Sequence, residues 1–187
     1  MNRQENRGGV LSSYRTLDLT DEKGMRCSRL LADMGTDVIR IDTPGEDSPY
    51  SHLNAGKRSI TLNLESRRGK EIFRRLIKTA DVVAESYQPG FLERLGLDYS
   101  KLSEINPRLV MASITNFGQS GPYRNYKSCD MVACALGGQM YVCGEPKTPP
   151  LKPYGNQAYS SACLFATTGI MLALWNRHTT GQGQYID

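Results

Sequence analysis

In the segment "ADVVAESYQPGFLERLG", a nearly continuous apolar run stops at Tyr87, Gln88, Pro89 and Gly90, and Arg94 follows one helical turn later. A strand that ends in a helical turn presents backbone N–H groups, and an arginine beside them can donate charge-assisted hydrogen bonds to a phosphate. On spacing alone a solvated helical arginine is the more common case. The segment "GPYRNYKSCD" puts Arg124, Lys127 and Asp130 on one loop and the helix start that follows it. Asp130 reads first as a helix cap and second as a catalytic acid. Cys129 and Cys163 are nucleophiles in principle, but with no histidine near them in sequence they read as buried thiols. Neither His52 nor His178 sits in a loop typical of catalysis, so no Ser/His/Asp arrangement emerges. The chain closes on "KPYGNQAYSSACLFATTGIMLALWNRHTTGQGQYID", a loop, a long helix and the start of another element, with Tyr159 near the helix N-terminus.

These residues need a scaffold, and the sequence describes one. "YRTLDLT" is a short strand, and Thr20 and Asp21 are candidate N-caps for a helix over "GMRCSRLLADMG" that stops at Gly35. "TDVIRID" is a second strand and "KRSITLNL" an extended segment. "SRRGKEIFRRLIKTA" is an amphipathic helix with Ile72, Phe73, Leu76 and Ile77 on one face. "DVVAESY" and "RLVMASITNF" are apolar enough for strands buried on both faces. Two short helical turns lie between them, "CDMVACALGGQMYV" is helical up to its glycine pair, and the last helix runs roughly from Ala158 to His178. Strands alternating with helices over short connections define an α/β fold with a parallel sheet. A polar arm, residues 1–13, precedes one unit spanning 14–187. The first strand-to-helix loop, "TDEKG", lacks the G-x-G-x-x-G dinucleotide fingerprint, so Asp42 reads as an exposed strand-end acid rather than a ribose ligand.

Composition narrows the class. With 39% apolar and 22% charged residues, the 187-residue chain is an ordinary globular protein with enough length for a sizeable core. The net charge of +4 is too small and dispersed to argue for nucleic acid. The five cysteines contain no C-x-x-C, which favours free thiols in a reducing compartment over zinc or disulfides. No apolar run reads as long enough to cross a bilayer, and "MNRQENRGGVLSSY" has no signal-peptide core. The expected location is the cytoplasm, with no membrane partner.

Taken together the motifs resemble the class III CoA-transferase family (CaiB/BaiF type), which includes formyl-CoA, carnitine and benzylsuccinate CoA-transferases and the α-methylacyl-CoA racemases. The matching stretches, collinear from Leu17 to the last residue, are "LDLT", "RLLADMGTDVIRIDTPGED", "NAGKRSITLNLES", "ADVVAESYQPGFLERLGLDYSKLSEINPRLV", "SITNFGQSGPY", "CDMVACALGGQM" and "GIMLALWNRHTTGQGQYID". The resemblance implies a Rossmann-like parallel sheet with flanking helices, of which this chain supplies the N-terminal part of the large domain. It also implies a longer subunit, truncated here at its C-terminal side, and two subunits interlocked like links of a chain. Coenzyme A, as acyl-CoA substrate and without a metal, is expected at Leu62, Tyr87, Pro89, Gly90, Arg94, Leu95 and Lys127. Three positions depart from the family's basic pattern: Gln88, Glu65 and Thr43.

Family transferases attack the acyl-CoA with an aspartate, forming a mixed anhydride and then an enzyme thioester. The resemblance sets that aspartate at Tyr159, a phenol that is protonated at neutral pH and forms no such anhydride. The racemase route fares no better, because its histidine falls at Cys129 and its aspartate is the same missing one. Glu22 stands where the first loop often carries a glutamine, and Asp130 matches an acid beside the active site. The favoured reading is a non-catalytic subunit that pairs, as a homo- or heterodimer, with an Asp-bearing family member. "DLTDEKGM" and "GNQAYSSA" are similar to the Asp-less subunit of the benzylsuccinate type. The alternatives are an active CoA-transferase with a rearranged carboxylate, Glu22 or Asp130, and a CoA-binding module that senses rather than transfers.

Overall fold

The apolar runs around Leu17, Ile39, Val83 and Met111 become the central strands of a six-stranded sheet in the computed structural model, which describes residues 8–45 and 51–187. In chain order the elements are β1 (Arg15–Leu19), α1 (Met25–Asp33), β2 (Asp37–Asp42), β3 (Arg58–Thr61), α2 (Arg67–Ile77), β4 (Val82–Glu85), α3 (Phe91–Leu95), α4 (Tyr99–Ile105), β5 (Val110–Ser113), α5 (Asp130–Leu136), α6 (Gln157–Thr180) and β6 (Tyr185–Ile186). Single 3₁₀ turns occupy Ser51–Asn54 and Gln139–Val142. The strand order is β3-β2-β1-β4-β5-β6, and every pairing is parallel. The α/β reading of the sequence therefore holds, as a Rossmann-like sheet with helices on both faces.

Alternation along each strand divides the core in two. Val83 and Met111 join Leu17, Leu19, Ile39 and Ile41 beneath α2 and α4, where Phe73, Ile77 and Leu102 are fully buried. Their neighbours Val82, Val110 and Ala112 face the other way and meet Cys27 and Leu31 of α1 and Cys163, Ile170 and Leu174 of α6. The helix ends follow local chemistry. Ser66 caps α2 by accepting from the Gly69 amide at 2.9 Å. Gly181, at φ +72°, ends α6 and turns the chain so that the Gln184 carbonyl accepts from the Met111 amide and β6 joins β5. Gly183 allows this return, because a Cβ there would lie 1.9 Å from the Leu109 carbonyl oxygen.

Three sequence expectations change. Thr20 and Asp21 do not cap α1, which starts after Gly24; Thr20 instead hydrogen-bonds Asp18, and Asp21 accepts from the Lys23 amide. The polar arm is folded where it is described, with Leu11 buried and its amide bonded to the Met34 carbonyl. Helix α6, finally, is long and apolar enough to cross a membrane by length and composition. Its polar residues, Ser160, Ser161, Thr167 and Thr168, interrupt any continuous apolar run in sequence. One face of α6 is core; the other exposes Leu164, Phe165, Leu172 and Trp175.

Candidate functional site

Parallel sheets of this order open a crevice where the strand order reverses, beyond the carboxyl ends of the two central strands. Here that point lies between β1 and β4. The loops leaving these strands are tied across it: the Asp21 amide donates to Ser86 Oγ at 2.7 Å, and Ser86 Oγ donates to Asp21 Oδ1 at 2.8 Å. The loop after β4 carries the Pro89-Gly90 turn, with Gly90 in the left-handed region at φ +84°. Tyr87 and Phe91 stack at 4.5 Å, and the Arg94 guanidinium lies 5.5 Å from the Phe91 ring centroid. Leu62, Tyr87 and Leu95 are half-buried against the same core cluster as Phe91. Of the expected CoA positions, Tyr87, Pro89, Gly90, Arg94 and Leu95 lie together on the loop after β4 and the helix that follows it, and Leu62 follows β3 at the far edge of the sheet. Among the described residues no carboxylate lies within ion-pair distance of Arg94. Lys127 stands apart, on the exposed loop before α5 that also carries the mutually packed rings of Phe117, Tyr123 and Tyr126. Gln88 and Glu65 are exposed, as is Thr43's neighbour Pro44.

Beneath the first loop is a closed polar cluster. Asp18, fully buried on β1, accepts from the Thr20 amide at 3.0 Å, Thr20 Oγ1 at 2.6 Å, Ser28 Oγ at 2.7 Å and Lys57 Nζ at 2.8 Å. Lys57 Nζ also contacts the Met25 carbonyl oxygen at 3.1 Å and Asn54 Oδ1 at 3.1 Å. Burial lowers the Lys57 pKa, against the opposing pull of the Asp18 charge. The cluster pins β1, the start of α1 and the 51–54 turn together. The lysine of "NAGKRSITLNLES" is this clasp, a pairing across 39 residues that leaves no local pattern.

Above the loop, Glu22, Arg26, His52, Leu53, Gly155, Asn156, Tyr159 and Ser160 line a cavity of about 230 Å³. Helix α1 supplies Arg26, the 51–54 turn supplies His52 and Leu53, and the first turn of α6 supplies Tyr159 and Ser160. Tyr159 is buried, and its phenol is pushed up to about 12, first by burial and then by the negative charge of Glu22. It is therefore a protonated hydrogen-bond donor throughout the neutral range. Among the described residues its hydroxyl has no hydrogen-bond partner; only its backbone amide is engaged, donating to Asp130 Oδ1 at 3.1 Å.

Asp130 is itself fully committed. It is the first residue of α5, and besides the Tyr159 amide it meets Lys152 Nζ at 3.0 Å and Cys134 Sγ at 3.6 Å, both at Oδ2. Burial alone would raise its pKa, but the Tyr159 amide and Lys152 outweigh it and hold the carboxyl below its ordinary value. The expectation of a cap holds in an unexpected form, since the helix it caps is α6, 29 residues away. Of the two candidate carboxylates, only Glu22 lines the cavity beside Tyr159. Cys163 is buried, donates to the Lys23 carbonyl oxygen at 3.0 Å and has its thiol pKa raised by burial, whereas Cys129 is exposed. All five cysteines are free. The sequence sets His52 aside as lying outside a catalytic loop and gives Asn156 only as part of "GNQAYSSA", while Arg26 carries no signal of its own. Local sequence does not show that they share a cavity, because they meet only through the packing of α1, α6 and the 51–54 turn.

The model of CoA-transferase family III matches residues 11–187. The chain is 36% identical to the succinyl-CoA:(R)-benzylsuccinate CoA-transferase subunit BbsE of Thauera aromatica, over 96% of this chain and 48% of that protein. It is 40% identical to a formyl-CoA:oxalate CoA-transferase of Streptomyces coelicolor, over 95% and 47% respectively. A third relative, the succinyl-CoA–L-malate CoA-transferase beta subunit of Chloroflexus aurantiacus, is 38% identical over 86% of this chain and 44% of its own length. Among solved structures, a CaiB/BaiF family protein from Brucella suis superposes with a TM-score of 0.91 at 36% identity, covering 96% of this chain and 52% of that one. The chain spans about half the length of the curated relatives it matches. On sequence and on fold alike, the chain belongs to CoA-transferase family III.

Proposed function

We propose that this chain is a subunit of a CoA-transferase that moves CoA between carboxylic acids, and that it lacks the attacking carboxylate itself. The observation that carries this reading is the state of the cavity at the start of α6: it holds a protonated phenol, while Asp130 is consumed by a helix terminus and Lys152. A phenol forms no mixed anhydride with an acyl-CoA, so an Asp-bearing partner subunit supplies the nucleophile, in the cytoplasm and without a metal. This chain contributes the shelf of Leu62, Tyr87, Pro89, Gly90 and Leu95, with Arg94 and Lys127 as cations for the CoA phosphates. Dimerisation is supported by the exposed apolar face of α6, which carries Leu164, Phe165, Leu172 and Trp175. The names of two relatives, which call them subunits, point the same way.

Calorimetric titration of CoA into the chain alone, and then after co-expression with an Asp-bearing family member, tests the proposal. Binding that appears or tightens with the partner is the expected result, and Arg94→Ala weakens it. Absence of both CoA binding and co-purification overturns it. One alternative retains support, an active enzyme using Glu22, because Glu22 lines the cavity beside Tyr159. That reading requires CoA transfer by the chain without a partner, abolished by Glu22→Gln.

A further inference from the structure

We propose that Glu85 is a positioning residue for CoA capture: from the end of β4 its carboxylate fixes the Tyr87 amide, and so sets the Pro89-Gly90 turn and the short helix that presents Arg94. The inference rests on the CoA reading of that turn and deepens it, by naming the group that holds the turn in place.

A helix of about one turn does not stand alone in water. Helix α3 has five residues, no side chain caps its start, and it still has to present Arg94 beside the stacked rings of Tyr87 and Phe91. Local backbone bonds close the turn on itself: the Phe91 amide donates to the Gln88 carbonyl oxygen at 3.0 Å, and the Arg94 amide to that of Gly90 at 3.1 Å. The Tyr87 amide ties the turn to the sheet, by donating to Glu85 Oε2 at 2.7 Å.

Glu85 is itself held rigid. It is 2% exposed and pairs across the ladder with Ser113 of β5, whose hydroxyl donates to Oε1. The Tyr185 hydroxyl of β6 meets Ser113 Oγ at 2.9 Å, so three neighbouring strands fix one carboxylate. An acid is expensive to bury, and the packing of a sheet requires none. What this one supplies is a fixed acceptor at the point where the chain leaves the sheet, and a charged acceptor makes about twice as strong a bond as a neutral one.

The arrangement tolerates loss of the charge. Glu93, Asp98, Tyr99 and Tyr185 share with Glu85 a cavity of about 230 Å³. Burial raises the Glu85 pKa, and the charges of Asp187 and Asp21 add to the rise. A proton on Oε1 donates to Ser113 Oγ and leaves Oε2 to the Tyr87 amide. A glutamine does the same, with its NH₂ toward Ser113 and its oxygen toward Tyr87.

The test is calorimetric titration of CoA into the intact chain, alone and co-expressed with an Asp-bearing family member, for wild type, Glu85→Gln and Glu85→Met, with denaturant unfolding run in parallel. Glu85→Gln holds the CoA Kd within about threefold of wild type. Glu85→Met keeps the volume but removes the acceptor, and weakens CoA roughly tenfold, as loss of one charged hydrogen bond does. Amide exchange gives a readout independent of CoA: the Tyr87 amide is protected in wild type and in Glu85→Gln and exchanges fast in Glu85→Met. If Glu85→Met does not fold, the wild-type amide decides, and exchange at the rate of an open loop overturns the proposal. A folded Glu85→Met chain that binds CoA like wild type overturns it and leaves the CoA reading standing, as does equal weakening by the glutamine and methionine variants. Absence of CoA binding by wild type, with and without the partner, removes the CoA reading and this positioning role with it.

Discussion

Two polar clusters flank the loop between β1 and α1, and they are built on opposite plans. In the lower one, Asp18 takes four hydrogen bonds and Lys57 spreads its ammonium over Asp18, Ser28, Asn54 and the Met25 carbonyl, so no valence is left open. In the upper one, the Asp130 carboxylate is taken up by the Tyr159 amide and Lys152, while Arg26 is exposed and the Tyr159 hydroxyl is not sealed from water. A saturated cluster returns its interactions as rigidity, and nothing about it calls for a ligand. An open one leaves its donors to water, so losing them costs folding little. The comparison predicts that perturbing the lower cluster changes stability far more than perturbing the upper one.

The largest effect is expected at the clasp. Lys57→Met removes the nearer of the two cations at buried Asp18 and leaves Arg40 at 3.9 Å, so the cost lies at or below the about 3–5 kcal/mol of breaking a buried pair outright. For a chain of this size that lowers the thermal midpoint by roughly 10 °C or less. Denaturant unfolding of the variant measures it; a loss near zero would show that the remaining donors from Thr20 and Ser28 suffice and that the clasp is not what holds the loop.

Asp130→Asn comes next, because it keeps an acceptor for the Tyr159 amide but strips Lys152 of its counter-charge. About 1–2 kcal/mol is expected, discounted for the partial exposure of Lys152. The pH dependence distinguishes this from a packing effect. The Asp130 pKa is held down in the folded chain, so its contribution is present at neutral pH and is lost as pH falls through the folded value. Wild type loses this increment on acidification and the asparagine variant does not.

Glu85, at the end of β4, runs the other way. Burial raises its pKa, more than the hydrogen bonds from Ser113 and from the Tyr87 amide at 2.7 Å lower it. Its contribution is then fully present below the unfolded pKa and falls away as pH rises through the raised folded value. Glu85→Gln removes that loss, so the variant gains stability over wild type as pH rises towards neutral, read from denaturant unfolding. Parallel unfolding curves for variant and wild type across this range would place the charge elsewhere.

What was legible in the sequence follows from how local each signal is. The strands declared themselves because Val82, Val83, Val110 and Met111 are buried on both sides and leave an apolar run. The Pro89-Gly90 turn and Arg94 were found because turn, cation and strand end are neighbours in sequence. Lys57 and Asp18 are 39 residues apart and Asp130 and Tyr159 are 29 apart, so neither pairing leaves a periodic trace. Asp130 was read as a cap for the nearest helix, which is what spacing alone dictates; tertiary packing gave it α6 instead. Arg26 gives no signal for the same reason, and His52, set aside because its loop is not typical of catalysis, meets the start of α6 only through the packing of the folded chain.

The smallest expected effect on stability is the most telling for the comparison. Tyr159→Phe removes a hydroxyl that bonds to nothing among the described residues while keeping the ring that packs at the start of α6. Removing one partner of a buried hydrogen bond costs ~1–3 kcal/mol, because the other partner is left unsatisfied. Here no such partner is stranded, so the change stays within about 0.5 kcal/mol of zero, and the variant unfolds at the wild-type denaturant midpoint. If instead the phenylalanine variant loses more than about 1.5 kcal/mol, the hydroxyl has a partner within the folded chain, and the upper cluster is as closed as the lower one.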